Sequence, residues 1–344
     1  MVLSIVILHL TAITWVQAMS TSKMCRTSGF TGCECLFVGG CNWGGNPLFD
    51  SAKNPNFDGF APTEIEQFAY EITPGVKNLG RVCEGETVAI LYDCDARIPL
   101  YSATMIEGNQ AKEKVDRSKA SFHASTDPFL GVEFQQSDKD YMGSSKHKFC
   151  YKDQSTDTDL NWDGKACTSS PGPIDRGHMI PAGYARGDAK RVHNTFAYTN
   201  MVPQFSVFNR GEWRRAEDSE LVKTWGDECH KAAGMKKLEA RIYVIVGAVP
   251  TTYTTNSRFF GRAGFSNFGS DEYRIVVPHI MWTAACCILE DNTVFSVTAF
   301  SRENLPGKDK VEFYNSPQDM VKALFPVLKM PVDLFPHQTR CMTG

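Results

Sequence analysis

Within Pro173-Ile174-Asp175-Arg176-Gly177-His178-Met179-Ile180-Pro181 a carboxylate, a guanidinium and an imidazole fall inside four positions. Two more polar blocks follow downstream, Asn200-Met201-Val202-Pro203-Gln204 and Asn209-Arg210-Gly211-Glu212-Trp213-Arg214-Arg215-Ala216-Glu217. A phosphodiester is a stable anion. Its hydrolysis needs a base to activate water, a cation to neutralise charge on the phosphorane, and donors to hold the phosphate. These blocks offer all three. His178 is the only side-chain type in the first block that titrates near neutral pH, so a neutral imidazole there could take a proton from water. A solitary histidine is more often a satisfied structural one; here Arg176 adds a planar fork for phosphate oxygens and Gly177 permits close backbone approach.

The elements that must carry these groups follow from periodicity. Trp213, Ala216, Leu221, Val222 and Trp225 recur at spacings of three to five among charged residues, which predicts an amphipathic helix after Asn209. Asn209, Trp213, Glu217 and Leu221 are each four apart, so a carboxamide and a carboxylate share a row with large apolar residues. Burying such groups is unfavourable unless they are hydrogen-bonded or bind an ion. Two turns, about 12 Å of rise, separate Asn209 from Glu217, so one direct ligand and one partner acting through water is the expected division. Mg²⁺ suits this because it keeps most of its water shell. An N-cap role for Asn209 and a solvated helix charge for Glu217 stay open on the spacing alone.

Taken together, the three blocks resemble the DNA/RNA non-specific endonuclease family, the ββα-metal nucleases with a D-R-G-H motif. The likeness is dense from Asp175 to Glu217 and traceable from about Thr87 to Phe300. It implies catalytic roles for His178, Arg176, Glu217 and Asn200, with His178 as general base. Asn209 becomes the direct Mg²⁺ ligand and Glu217 the carboxylate that reaches the ion through water, Mn²⁺ being able to substitute. Arg176, Gln204, Arg214 and Arg215 become contacts to the nucleic acid; Asn200 and Gln204 also hold the histidine and the metal–water cluster. It further implies DNA, with RNA as a second substrate, cut with little base preference to 5′-phosphate and 3′-hydroxyl ends. One position departs. Where family members often carry an arginine one turn beyond the glutamate, this chain has Leu221. Arg214, Arg215, Arg117 and His123 are the candidates to replace that cation.

Compartment follows from the ends of the chain and its thiols. Val2 to Trp15 is apolar except for His9, and Val16-Gln17-Ala18 fits a small-residue cleavage rule, so residues 1–18 read as a signal peptide. The run is shorter than the roughly 20 residues needed to span a bilayer. All twelve cysteines lie beyond it, an even count that implies disulfides in a secreted, extracellular chain. No C-x-x-C pair or H-E-x-x-H argues for a zinc site instead.

Residues 19–71, rich in Gly, Asn, Pro and Cys, read as a disulfide-stapled extension that buries little apolar surface, and residues 72–344 as the nuclease domain. Thr87–Asp93 and Ile98–Met105 predict a hairpin around Cys94–Arg97; Arg241–Val249 predicts a buried strand; Tyr273–Ile288 and Thr293–Phe300 predict paired strands turning at Asp291-Asn292. Strands before and after one central helix make the fold α+β, with a central antiparallel sheet, a catalytic helix and the disulfide-rich extension. The net charge of −3 does not announce a nucleic-acid binder, yet Pro171 to Arg215 holds seven basic residues against three acidic ones. Such a strip attracts a polyanion. No membrane or protein partner can be inferred. Two function classes emerge: a secreted Mg²⁺-dependent endonuclease, and a catalytically impaired secreted nucleic-acid-binding protein on the same scaffold, which Leu221 would favour. No G-x-S-x-G elbow, Walker loop or dinucleotide fingerprint supports another enzyme class.

Overall fold

The computed structural model of the chain describes residues 25–45, 62, 78–107, 115, 117, 120–141, 150–153, 158–160, 174–185, 187–249, 258–261, 275–304, 310–325 and 332–344. The signal-peptide reading of residues 1–18 lies outside them.

In chain order the strands are β1 (Leu79–Glu84), β2 (Val88–Asp93), β3 (Ile98–Glu107), β4 (Cys150–Asp153), β5 (Thr158–Leu160), β6 (Ile174–His178), β7 (Met201–Phe205), β8 (Ala240–Val249), β9 (Arg258–Gly261), β10 (Ile275–Val277), β11 (Ile280–Leu289), β12 (Val294–Glu303) and β13 (Glu312–Tyr314). The helices are α1 (Asp138–Tyr141), α2 (Ala189–Asn194), α3 (Ser206–Arg210), α4 (Glu212–Arg215), a π-helical segment (Ala216–Gly226), α5 (Asp227–Lys236), α6 (Pro317–Leu324) and α7 (Arg340–Thr343). Seven strands form one antiparallel sheet in the order β1-β2-β3-β8-β11-β12-β13. A smaller sheet runs β10-β9-β4-β5, and among the described residues β6 pairs only with β7. The hairpin expected around Cys94–Arg97 and the buried strand from Arg241 are both present as β2–β3 and β8.

The main sheet is covered on both faces, which is why its middle strands read as unbroken apolar runs. Along β8, Ile242, Val244 and Val246 face one core, whereas Tyr243 and Ile245 face the other. The first core holds the β6–β7 pair and the helices from α3 to α5; the second holds the N-terminal residues, α6 and the C-terminal segment. Here the structure departs from the sequence reading. Phe30, Leu36, Phe37 and Val38 of the extension are buried against Leu91, Tyr101, Ile245 and Trp282 of the sheet, so the extension is a layer of the core.

The predicted helix is present but broken. Gly211, where any Cβ would come within 2.4 Å of the Val207 carbonyl oxygen, separates α3 from α4, and the chain then widens to π geometry from Ala216. Trp213 pins this region to the sheet. Fully buried, it stacks on Phe208 at 5.0 Å and meets Phe300 edge-on at 5.3 Å. Lys237, in the left-handed region, ends α5.

Five disulfides fall among the described residues: Cys25–Cys94, Cys33–Cys83, Cys35–Cys41, Cys229–Cys287 and Cys286–Cys341. The neighbours Cys286 and Cys287 point to opposite faces of β11. One staples α7 to the second core, the other staples α5 to the first. Four of the five bridges close loops with sequence separations of 50 to 69 residues, for which about 2–4 kcal/mol each is typical. Full reduction is therefore expected to unfold the protein at temperatures where the oxidised form is stable. Circular dichroism melting alongside thiol titration checks this; a fully reduced protein with an unchanged melting temperature would contradict it.

Candidate active site

The site is built where the short strand pair meets the broken helix. In β6–β7, Asp175 lies opposite Gln204 and His178 opposite Met201. Gln204 is fully buried and folds over Gly177 so closely that a Cβ there would sit 2.1 Å from its Cδ and Oε1. Glycine at 177 is required by that contact.

Asp175 ties the strand to the helix. Its carboxylate accepts a bidentate pair from Arg210, Nε at 2.8 Å and a terminal nitrogen at 2.6 Å, and a third bond from Asn209 Nδ2 at 3.0 Å. With its nitrogen so engaged, the Asn209 carboxamide presents Oδ1, an acceptor, on its other side. Eight positions on, Glu217 is the second residue of the π segment. It is 6 % exposed, and its Oε1 has no hydrogen-bond partner. Burial, followed by the neighbouring Asp218 carboxylate, raises its pKa well above the usual carboxylate range, against the opposing pull of Trp213 and Arg214.

His178 ends β6 in an aromatic box. Its ring meets Phe196 edge-on at 4.6 Å and Phe122 at 5.9 Å, and its Nε2 is closed off without a hydrogen bond. Burial, then the positive charges of Arg117 and Arg176, push the imidazole down to about 3, so it is neutral at physiological pH. The Arg176 guanidinium lies over the Phe122 ring, 3.9 Å from its centroid, and pairs with Asp138 of α1.

A cleft of about 340 Å³ gathers these groups: Arg176, His178, Asn209, Arg214 and Glu217 line it together with Arg117 and Phe122. Three expected site residues are placed elsewhere. Asn200 is fully buried, and its carboxamide is used on backbone: Oδ1 accepts from Ile180 N, while Nδ2 donates to the Ile180 and Thr195 carbonyls. It fixes the chain just beyond His178 and touches no reacting group. Gln204 is sealed beneath Gly177, and Arg215 turns to Glu212 at 2.6 Å on the surface, so neither lines the cleft. Among the candidate replacement cations, Arg117 and Arg214 line it. His123 does not; it is stacked on His193 at 4.3 Å. Leu221 is core, 1 % exposed. Phe122, Phe196 and Asp138 escaped the sequence reading because each acts through contacts to distant segments that leave no spacing signature.

Among the described residues no group of three or more His, Cys, Asp or Glu could cage a metal. What the cleft does contain fits a hard cation bound sparingly: a carboxamide oxygen held outward by Asp175, and a buried carboxylate with an orphaned oxygen that a positive charge would keep ionised.

A strand pair that closes on a helix, with a histidine ending the first strand and an asparagine on the helix, is the ββα arrangement of a metal nuclease. The chain belongs to the DNA/RNA non-specific endonuclease family, whose model matches residues 71–324. It is similar to the human mitochondrial nuclease EXOG, at 28 % identity over 129 residues, covering 38 % of this chain and 27 % of that protein. The match thus spans about a quarter of that relative's length. A solved structure of an EndoG/EndoGI complex, described as showing the mechanism of EndoG inhibition, aligns at 18 % identity with a TM-score of 0.44, covering 75 % of this chain and 88 % of that one.

Proposed function

We propose that the protein is a secreted Mg²⁺-dependent endonuclease that hydrolyses DNA, and RNA as a second substrate, with little base preference, leaving 5′-phosphate ends. Residues 72–344 form its catalytic domain and residues 19–71 an extension, of which Phe30, Leu36, Phe37 and Val38 cover the far face of the sheet. The observation that carries this reading is the convergence, in one cleft, of a neutral imidazole, four arginines, a carboxamide and a carboxylate, on residues 176–217 and Arg117.

Each group has a role its surroundings fit. His178 is held uncharged, so it can accept a proton from the attacking water. Arg176, its plane set by Phe122 and Asp138, offers its remaining N–H groups to phosphate oxygens. Asn209 Oδ1 and Glu217 would hold Mg²⁺, the first directly and the second through water; Mn²⁺ suits the same donors. When bound, the ion neutralises charge developing on the phosphate and the leaving oxygen. Arg117 and Arg214 bring the positive charge that Leu221 lacks, which favours catalysis over the binding-only alternative. Such a site reads phosphates rather than base edges, hence little sequence preference.

Secretion is supported by residues 1–18 and by the disulfides. Among the described residues no helix is long and apolar enough to cross a membrane.

Supercoiled plasmid, single-stranded DNA and RNA incubated with the protein in Mg²⁺, in Mn²⁺ and in EDTA test the proposal. Nicking with either metal, abolished by EDTA, is expected. Binding without cleavage under every metal condition would overturn it.

A further inference from the structure

We infer that Glu84, at the end of β1 and far from the cleft residues in sequence, is a positioning residue that sets both walls of the box around His178. Its carboxylate is fully buried, yet among the described residues no cationic group pairs with it, and the bonds it accepts come from neutral donors. Ser125 Oγ and Thr199 Oγ1 donate to Oε1, the latter at 2.6 Å, and Thr126 donates to Oε2 from its backbone nitrogen at 2.9 Å and its hydroxyl at 2.7 Å. A buried carboxyl group without a counter-charge is expensive to desolvate, and an apolar side chain would fill the place at less cost. What the carboxylate supplies is convergence: it gathers the end of β1, Ser125-Thr126 and Thr199 onto one side chain.

The two segments it grips are the ones that enclose the imidazole. On one side, Ser125 and Thr126 lie just beyond Phe122, the ring that carries Arg176 and touches His178. On the other, Thr199 precedes Asn200, whose backbone oxygen accepts from Met179 N at 2.8 Å and whose carboxamide clamps Ile180, the two residues that follow His178. His123 joins the two walls to each other, its N–H reaching the Phe196 carbonyl at 3.3 Å and its carbonyl accepting from Tyr198 N at 2.8 Å. Behind Glu84 the chain is braced: the preceding Cys83 is bridged to Cys33, and the following Gly85 accepts from Asn194 of α2 at 3.0 Å. The loop beyond Thr126 is tied to the extension as well, where Asp127 accepts from Ser28 N and Oγ at 2.8 and 2.6 Å. The disulfide-stapled extension thereby stiffens, through Glu84 and Asp127, a cleft wall on the opposite face of the sheet.

This rests on the nuclease reading, and the test separates the two. Glu84→Gln keeps the shape but turns a four-bond acceptor into an amide whose NH₂ faces a donor. It should lower kcat on plasmid DNA by about tenfold or more while KM stays within about twofold, because the base and Arg176 lose their alignment without losing their charges. Thr199→Val and Ser125→Ala, each removing one donor, serve as milder variants should Glu84→Gln fold poorly. Each is expected to reduce kcat less than Glu84→Gln. All rates are taken per folded molecule, by near-ultraviolet circular dichroism, well below each melting temperature. A wild-type protein that cuts DNA, with variants that melt earlier but retain wild-type kcat, would make Glu84 a stability element only and overturn the inference. A wild-type protein that cuts nothing overturns the nuclease reading instead.

Discussion

His178→Ala should leave a folded protein whose rate on DNA falls by about 10²–10⁴, the usual scale for the loss of a general base. The expectation comes from the ring's surroundings: it is neutral because burial and two nearby arginines disfavour its charged form, and it ends the strand that delivers it to the cleft. A variant that keeps more than about a tenth of the wild-type rate at neutral pH would remove His178 from the chemistry. The same residue carries a stability signature. Folded, the imidazole gains its proton only near pH 3; in the unfolded chain it does so near 6.5. Between those values the unfolded state binds more protons, so this group's contribution to stability rises with pH and is lost as pH falls from about 6.5 toward 3. The alanine variant lacks that loss. Its acid unfolding midpoint, followed by tryptophan fluorescence, should therefore lie at lower pH than the wild type's, and a midpoint at higher pH would contradict the neutral imidazole.

The second large effect is expected at the two oxygen ligands, and it should differ between them. Asn209→Ala removes the carboxamide that Asp175 holds outward, so it should weaken metal binding most, by about 10²-fold or more. Glu217→Ala removes a group that acts through water. Its rate should fall by about 10–100-fold and recover in part at higher Mg²⁺. Calorimetric titration of Mg²⁺ or Mn²⁺ into each folded variant reads affinity without relying on turnover. Equal losses that no metal concentration rescues, with unchanged titration curves, would contradict the division.

What the sequence made legible was local. The block from Asp175 to His178 and the four-residue row from Asn209 to Leu221 could be read because their geometry is set by strand and helix repeats within one segment. The row survives with Trp213, Glu217 and Leu221 all buried, although the helix breaks at Gly211 and widens after it. Those departures depend on a steric contact with Val207 and on i→i+5 bonding, neither of which alters the apolar periodicity. Asn200 and Gln204 lie close to the motif along the chain, but the direction of their side chains is decided by tertiary contacts, Asn200 turning to the Ile180 and Thr195 backbone and Gln204 lying beneath Gly177. Phe122, Phe196 and Asp138 were out of reach for a different reason. Each meets Arg176 or His178 across a long stretch of chain, and no period links an aromatic ring to the guanidinium it will support. The extension was misjudged because its buried residues, Phe30, Leu36, Phe37 and Val38, are spaced by disulfide-held turns rather than by a helix or strand repeat.

The paired neighbours Cys286 and Cys287 also shape how the chain meets proteases. Because their bridges run in opposite directions along the sequence, to Cys229 and to Cys341, they close two adjoining covalent rings that share the Cys286-Cys287 peptide bond. A single backbone cut anywhere from Cys229 to Cys341 opens a ring without releasing a fragment, and the Cys25–Cys94 bridge does the same for the first part of the chain. Molecules nicked within either span should run as one band on a gel without reductant and separate into pieces only with it.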